Sequence, residues 1–179
     1  MTEPEQPLTK ENKFAASDVL QILRDHQWLA GDATAEQSSW CERAAALLGP
    51  QSADCGALEN LLALVFHYDA REVLGKLDAQ VVMSRYAARD VLRVLANQLL
   101  DAVPLTTERF REIVDVLKAQ LDIRGRELFH PLRLVLAGRS GEGDLDRVVL
   151  LLDEAVAANF AVGVKSARER IVEFCSVFG

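Results

Sequence analysis

Apolar residues recur along most of the chain at intervals of three and four, the spacing that places them on one face of a helix. The clearest stripes keep this spacing over two turns or more: Leu58, Leu61, Leu62 and Val65; Ala88, Leu92, Leu95, Leu99 and Ala102; Phe110, Ile113, Val114, Leu117 and Leu121. Alternating apolar and polar residues joined by hairpin turns, which would indicate strands, do not occur. The pattern therefore predicts an all-α protein that folds as a helical bundle.

Capping residues predict where several of these helices begin. Ser17 can cap the first helix, and Thr34 forms a Thr-x-x-Gln capping box with Gln37. Asp54 and Thr106 precede two of the apolar stripes and can cap the helices that carry them.

Glycine and proline predict where helices end. Gly49 with Pro50 should stop the helix behind Thr34, and Pro104 should stop the long helix that starts near Ala88. Pro131 suits the first turn of a helix, where its missing N–H is not needed, and Gly138 can terminate that helix.

Three further helices complete the prediction. A short one is expected from about Asp69 to Leu77, and two more around Leu145–Asn159 and Ser166–Phe178. The last of these has a broad apolar side, which we expect to pack on the protein's own core rather than on a partner.

The predicted organisation has three parts. Residues 1–13 are rich in proline and glutamate and are expected to form a disordered tail. Residues 14–103 form an N-terminal helical subdomain, and residues 104–179 form a C-terminal one that contains a basic segment.

The net charge of −7 argues against nucleic-acid binding over the whole surface of the protein. Three widely spaced cysteines without a C-x-x-C pair favour a reduced, cytoplasmic protein over a disulfide or zinc framework. The most apolar late stretch is interrupted by Asp153 and Glu154, and the N-terminus has no apolar signal core, so no membrane association is expected.

Motifs of catalysis and of cofactor binding do not occur. The three histidines lack metal-binding spacings, and no Walker, G-x-G-x-x-G or G-x-S-x-G motif is present. The glycine-rich stretch "AGRSGEGD" follows no predicted strand and is interpreted as a loop between helices. We therefore expect no catalytic residue, no cofactor and no metal site, while an enzyme with an unfamiliar site remains an open alternative.

The stretch "RGRELFHPLRLVLAGR", Arg124 to Arg139, differs from the rest of the chain in charge. It contains four arginines and one glutamate, a net of +3, so the remainder carries −10. Such segregation suits docking to one RNA segment, because the patch attracts phosphates while the acidic remainder repels other RNA. The alternative is that these arginines form ion pairs with Glu127, Asp144 and Asp146.

The stretch from Ile123 to Leu152 resembles the C-terminal anticodon-binding region of bacterial-type glutamyl-tRNA synthetases. The matching residues are Gly125 to Phe129 ("GRELF"), Pro131 to Arg133 ("PLR") and Val135 to Gly138 ("VLAG"), followed by a short loop and a leucine-rich helix. His130 and Ala137 stand where the family usually has methionine and threonine, and Gly143-Asp144 replaces its Gly-Pro. A weaker resemblance extends over residues 16–153, whereas the last helix departs from the usual family ending.

The motifs of the family's catalytic half, a His-x-Gly-His type motif and a Lys-Met-Ser-Lys-Ser type loop, are missing. The resemblance therefore implies a noncatalytic tRNA-binding module, either a portion of a longer synthetase or a free-standing relative. It implies weak binding of tRNA, with tRNA(Glu) as the expected species, and allows a separate catalytic synthetase chain as a partner. The alternative is a protein-interaction or assembly domain that kept the helical fold but lost RNA binding.

The resemblance and the charge pattern together name the candidate RNA-binding residues Arg124, Arg126, Arg139 and Leu145. If the helix ends meet in space, the three arginines would surround one concave spot the size of a few nucleotides. Arg133 lies inside an apolar helix and is expected to stabilise the bundle instead.

Overall fold

The computed structural model describes residues 11–179, and this part of the chain is helical without strands. Its helices, in chain order, are α1 (Ala16–Asp25), α2 (Ala35–Leu48), α3 (Cys55–Phe66), α4 (Ala70–Leu74), α5 (Leu77–Met83), α6 (Ala88–Leu99), α7 (Thr107–Leu121), α8 (Arg126–Ala137), α9 (Asp144–Ala158) and α10 (Ala167–Phe178). A 3₁₀ turn (Gly49–Gln51) follows α2. The predicted all-α class is confirmed.

Side-chain caps begin several helices where the sequence predicts them. The Thr34 hydroxyl accepts a hydrogen bond from the Gln37 N–H at 3.2 Å, and the Gln37 side chain accepts one from the Thr34 N–H at 3.0 Å. This reciprocal pair occupies two N–H groups that α2 itself cannot bond. Carboxylate or hydroxyl caps also begin α3, α4, α7 and α10, at Asp54, Asp69, Thr106 and Ser166.

Two predicted helix starts are wrong. The N-cap of α1 is Ala15 rather than Ser17, because the Asp18 carboxylate accepts a hydrogen bond from the Ala15 N–H at 2.7 Å. Pro131 is the sixth residue of α8, not part of its first turn. The helix begins earlier because Gly125, at φ 58°, lets the chain turn directly into Arg126.

Two other predicted boundaries differ from the structure. The short helix expected from about Asp69 to Leu77 ends at Leu74 as α4, and α5, which the sequence pattern does not predict, begins at Leu77. Helix α6 ends at Leu99, and Ala102 adopts a left-handed φ of 58° beyond it. The start of the chain through residue 10 lies outside the described residues, as does most of the predicted tail; Asn12 donates a hydrogen bond to the Ala45 carbonyl at 3.0 Å.

Helices from both predicted subdomains contribute to one hydrophobic core. The Trp40 indole N–H in α2 donates to the Leu151 carbonyl in α9 at 3.1 Å. Phe66 at the end of α3 and Phe160 after α9 pack edge-to-face against Trp40, with ring centroids 5.5 and 5.1 Å away. The predicted boundary after residue 103 thus falls in the α6–α7 connection. The buried side chains before and after this boundary belong to the same hydrophobic core.

The C-terminal helix packs on this core. Ala167, Ile171 and Phe174 of α10 are fully buried, and Phe178 packs against the core at its edge. This confirms the expectation that its apolar side covers the protein's own interior.

A buried arginine of α10 joins the C-terminal ends of two other helices. Arg170 is inaccessible to solvent, and its guanidinium donates hydrogen bonds to the carbonyls of Leu64 (3.0 Å) and Val65 (2.8 Å), in the last turn of α3. It also donates to the carbonyls of Leu136 (2.9 Å), in the last turn of α8, and Lys165 (3.1 Å). The last carbonyls of a helix have no partner within it, so Arg170 supplies donors that both helices lack.

Tyr68 completes this arrangement. Its ring lies 4.7 Å from the Arg170 guanidinium, and its hydroxyl donates to the Val135 carbonyl of α8 at 2.6 Å. Burial lowers the pKa of Arg170 to about 10, which leaves the side chain charged at neutral pH. The C-terminal ends of α3 and α8 are therefore held together by one cation and one hydroxyl.

Within residues 11–179, the structure contains no helix whose length and apolar character would allow it to cross a membrane.

Replacing Arg170 should destabilise the whole fold. We expect Arg170→Ala to lower the free energy of unfolding by roughly 3 kcal/mol or more, because buried carbonyls lose their donors and a cavity forms. Arg168→Ala, at an exposed position two residues earlier in the same helix, should change it by about 0.5 kcal/mol at most. Urea denaturation followed by circular dichroism measures both, and equal effects would contradict the role given to Arg170.

Candidate nucleic-acid interface

Helix α8 separates the candidate arginines into two groups. Arg124 and Arg126 lie at its N-terminal end, and Arg139 follows Gly138 at its C-terminal end. A helix of 12 residues is about 18 Å long. The helix ends therefore do not meet, and the three arginines do not surround one concave spot.

The C-terminal end of α8 opens onto a groove of about 490 Å³. Arg139 lines it together with Arg147 from α9 and Gln51 from the 3₁₀ turn, and the loop at residues 141–143 forms its rim. Glu142 and Asp144 also line the groove, so its positive charge is partly compensated. Two guanidinium groups and an amide give this groove donors for a phosphate or for the edge of a base.

Leu145 borders the same groove but does not face it. Its side chain is 1% exposed and belongs to the hydrophobic core. Leu145 therefore supports the wall of the groove, and its side chain lies out of reach of a ligand in this structure.

The N-terminal end of α8 carries a second basic group. The Arg85 guanidinium, from the turn after α5, donates to His130 Nδ1 at 3.0 Å. Burial lowers the pKa of His130 below its ordinary value, and the charges of Arg85, Arg126 and Arg133 lower it further. Since Nδ1 accepts a hydrogen bond there, His130 is neutral.

Exposed side chains flank this second group along the chain. Arg124 and Arg126 are both exposed, and the Tyr86 side chain next to Arg85 is 99% exposed. Arginine and tyrosine planes are the groups on which unpaired bases stack. The N-terminal end of α8 therefore offers positive charge and an aromatic surface together.

Arg133 is part of the scaffold, as the sequence predicts. It is buried, and it forms a bidentate ion pair with Asp146 of α9, with Nε–Oδ1 at 2.7 Å and Nη2–Oδ2 at 2.9 Å. Its third nitrogen donates to the Gly141 carbonyl at 2.8 Å, and the guanidinium lies 4.7 Å from the Phe129 ring centroid. Arg133 thereby fixes the loop that forms the rim of the groove.

The candidate arginines remain available for a ligand. Ion pairs formed between residues 11–179 engage four arginines: Arg43, Arg93, Arg109 and Arg133. Arg124, Arg126 and Arg139 form no ion pair with another residue of that range. Glu127, Asp144 and Asp146 are the possible ion-pair partners expected from the sequence. Of these, Asp146 forms an ion pair, and its partner is Arg133.

Gly138 places Arg139 at the groove. It ends α8 in the left-handed conformation, at φ 80°, and a Cβ there would meet the Tyr68 ring and the Val73 side chain at 3.5 Å. Glycine is the residue that adopts this conformation without strain.

Sequence reasoning missed Gln51, Arg85, Tyr86 and Arg147. Gln51 and Arg85 are far from Arg139 and His130 along the chain, and the single sequence has no signal for such contacts. Arg147 lies in the first turn of α9, four residues after Gly143, so helical spacing alone allowed it to face the loop.

Within the described part of the chain, no three or more histidine, cysteine, aspartate or glutamate side chains cluster in a way that could hold a metal ion.

No protein-family model, curated protein or solved structure matches this chain.

The scaffold role of Arg133 can be separated from the surface role of Arg139 by stability. Arg133→Ala should lower the free energy of unfolding by roughly 2 kcal/mol or more, because Asp146 loses its partner in a largely desolvated place. Arg139→Ala should change it by less than about 0.5 kcal/mol, since the side chain forms no ion pair within residues 11–179. Thermal or urea denaturation of the two variants measures the contrast, and similar losses would contradict it.

His130 should make folding pH-dependent. With its pKa lowered in the fold, the unfolded chain binds more protons than the folded one as the pH falls through and below 6.5. Stability is therefore fully present above this range and is lost as the pH falls. Between pH 7.5 and 5.5 the wild type should lose more stability than His130→Asn, which keeps an acceptor for Arg85. Parallel urea titrations at both pH values measure this, and identical losses would contradict the assignment.

Proposed function

We propose that this chain is a noncatalytic tRNA-binding module, related to the anticodon-binding region of glutamyl-tRNA synthetases, that approaches an anticodon loop with the arginines at both ends of α8. The observation that carries the proposal is the placement of Arg124, Arg126 and Arg139. They lie at the ends of a helix, without an ion pair among residues 11–179, in a chain of net charge −7. The resemblance of residues 123–152 to that family gives the same assignment.

The separation of the two groups suits an RNA loop better than a mononucleotide. About 18 Å along α8 corresponds to roughly five stacked nucleotides at about 3.4 Å per step. Arg124 and Arg126 would contact one side of the loop, and Arg139 with Arg147 the other. A ligand of one nucleotide would reach only one group.

In this proposal each predicted residue has a distinct task. Arg124, Arg126 and Arg139 contact phosphates and unpaired bases, while Leu145 supports the groove wall and Arg133 holds the loop. The expected ligand is tRNA(Glu), bound weakly because few phosphates are neutralised. A catalytic synthetase chain acting with this module, and a cytoplasmic location, belong to the same proposal.

The alternative function is a protein-interaction domain, and one observation favours it. Leu77 and Val81 of α5 are exposed side by side, which a purely RNA-binding surface does not require. A protein-interaction domain that lost RNA binding would show no saturable tRNA binding, so the substitutions described below would have no effect on it.

RNA affinity should depend on the outward arginines at the ends of α8. Arg126→Ala and Arg139→Ala should each weaken binding of tRNA(Glu) by roughly three- to tenfold at low salt, because each removes a phosphate contact. Arg111→Ala, at an exposed position on α7, is the matched control and should bind as the wild type does. Filter binding of the folded variants measures these affinities.

Two results would contradict the tRNA-binding proposal. One is the absence of saturable binding by the wild type at low salt. The other is an equal effect of all three substitutions, which would show that net charge rather than the ends of α8 attracts the RNA.

A further inference from the structure

A groove of about 500 Å³ runs between α5 and α8. Its apolar wall is formed by Leu77 and Val81 of α5, with buried Val82 beneath them, and its polar ends are formed by side chains on or next to the two helices. The groove lies between the two basic groups at the ends of α8, since His130 and Ser140 both line it.

The apolar wall of this groove is exposed to solvent. Leu77 is 76% exposed and Val81 is 52% exposed. They are four residues apart on α5 and therefore share one face, while Ala79, Val82 and Met83 bury the other. Two adjacent aliphatic side chains in solvent, beside a groove, offer an apolar contact surface to a partner.

The ends of the groove differ in charge. At one end the Arg85 guanidinium bonds to neutral His130, and Arg126 lies close enough to affect the titration of that histidine. At the other end Asp78 accepts a hydrogen bond from the Ser140 hydroxyl at 3.4 Å. Neither Arg85 nor Arg126 forms an ion pair with another residue of the range 11–179.

We propose that the groove between α5 and α8 docks an acidic amphipathic helix of a partner protein. Two apolar side chains of that helix, three or four residues apart, pack against Leu77 and Val81. Its carboxylates lie over Arg85 and Arg126, which gives the bound helix one direction. This is the helix-in-groove mode of recognition, with charge setting orientation.

The charges disfavour the two other occupants. A second copy of this chain would bring two positive patches and two acidic bodies together, which costs energy at low ionic strength. An RNA that contacts the arginines at either end of α8 would find no hydrogen-bond partner on Leu77 and Val81 between them. An acidic helix satisfies both the apolar wall and the arginines.

The test uses the full chain and a displayed library of random peptides about 15 residues long, or about 22 Å as a helix. Peptides are selected on the wild type, and their affinity is measured for Leu77→Asp and Arg85→Glu. Leu100→Asp, at an exposed leucine after α6 (51% exposed), is the matched control. Circular dichroism verifies that each variant folds.

The proposal expects enriched peptides that are acidic, with apolar residues at helical spacing. Leu77→Asp and Arg85→Glu should each weaken their binding by about tenfold or more, whereas Leu100→Asp should not change it. No enrichment, enrichment of basic peptides, or equal loss in all three variants would overturn it.

Two further measurements separate this groove from other occupants. If Leu77→Asp abolishes binding of tRNA(Glu) and leaves peptide binding intact, the groove is an RNA surface and the proposal is overturned. If the wild type dimerises with concentration in light scattering and Leu77→Asp prevents it, the occupant is a second copy and the proposal is again overturned. Peptide docking does not depend on the proposed RNA function: Arg139→Ala, which should weaken tRNA binding, should leave peptide binding unchanged, because Arg139 does not line the groove between α5 and α8.

Discussion

The position of α8 depends on the burial of the Arg170 guanidinium. A buried cation is stable only when it is fully hydrogen-bonded. Arg170 meets this condition with main-chain carbonyls at the ends of α3 and α8 rather than with a carboxylate. Because those carbonyls lack partners within their own helices, the cation and the helix ends satisfy each other. The chain leaving α8 is thereby held in place, and with it the groove that Arg139 lines.

Arginines in this protein have two roles, structural and surface-exposed, and the surrounding residues determine which role each one has. Arg133 and Arg170 point inward, and each is surrounded by acceptors that fix its geometry. Arg124 and Arg126 are exposed, and neither has a carboxylate partner within residues 11–179. The basic segment is therefore neither purely scaffold nor purely surface. The inward arginines hold the helix and its loop, and the outward ones are left for a ligand.

The helices could be predicted because their caps and stops depend on nearby residues. Contacts between distant residues could not be predicted. The capping box at Thr34 and the glycine stop at Gly138 act within a few residues, so one sequence suffices to identify them. The Arg85–His130 bond joins residues 45 positions apart, for which a single sequence has no signal. The family resemblance places Leu145 among the RNA-binding residues, yet Leu145 is buried, because an apolar residue in the first turn of α9 gains most by facing the core.

The most direct test is an NMR titration of the full chain with an anticodon stem-loop of tRNA(Glu), following backbone amide shifts. The account predicts saturable changes at both ends of α8, around Arg124–Arg126 and in the loop from Arg139 to Arg147, with α7 unaffected. Changes at one end alone, changes spread over the acidic surface, or no saturable change would contradict the claim that the outward arginines of α8 form an RNA-binding surface.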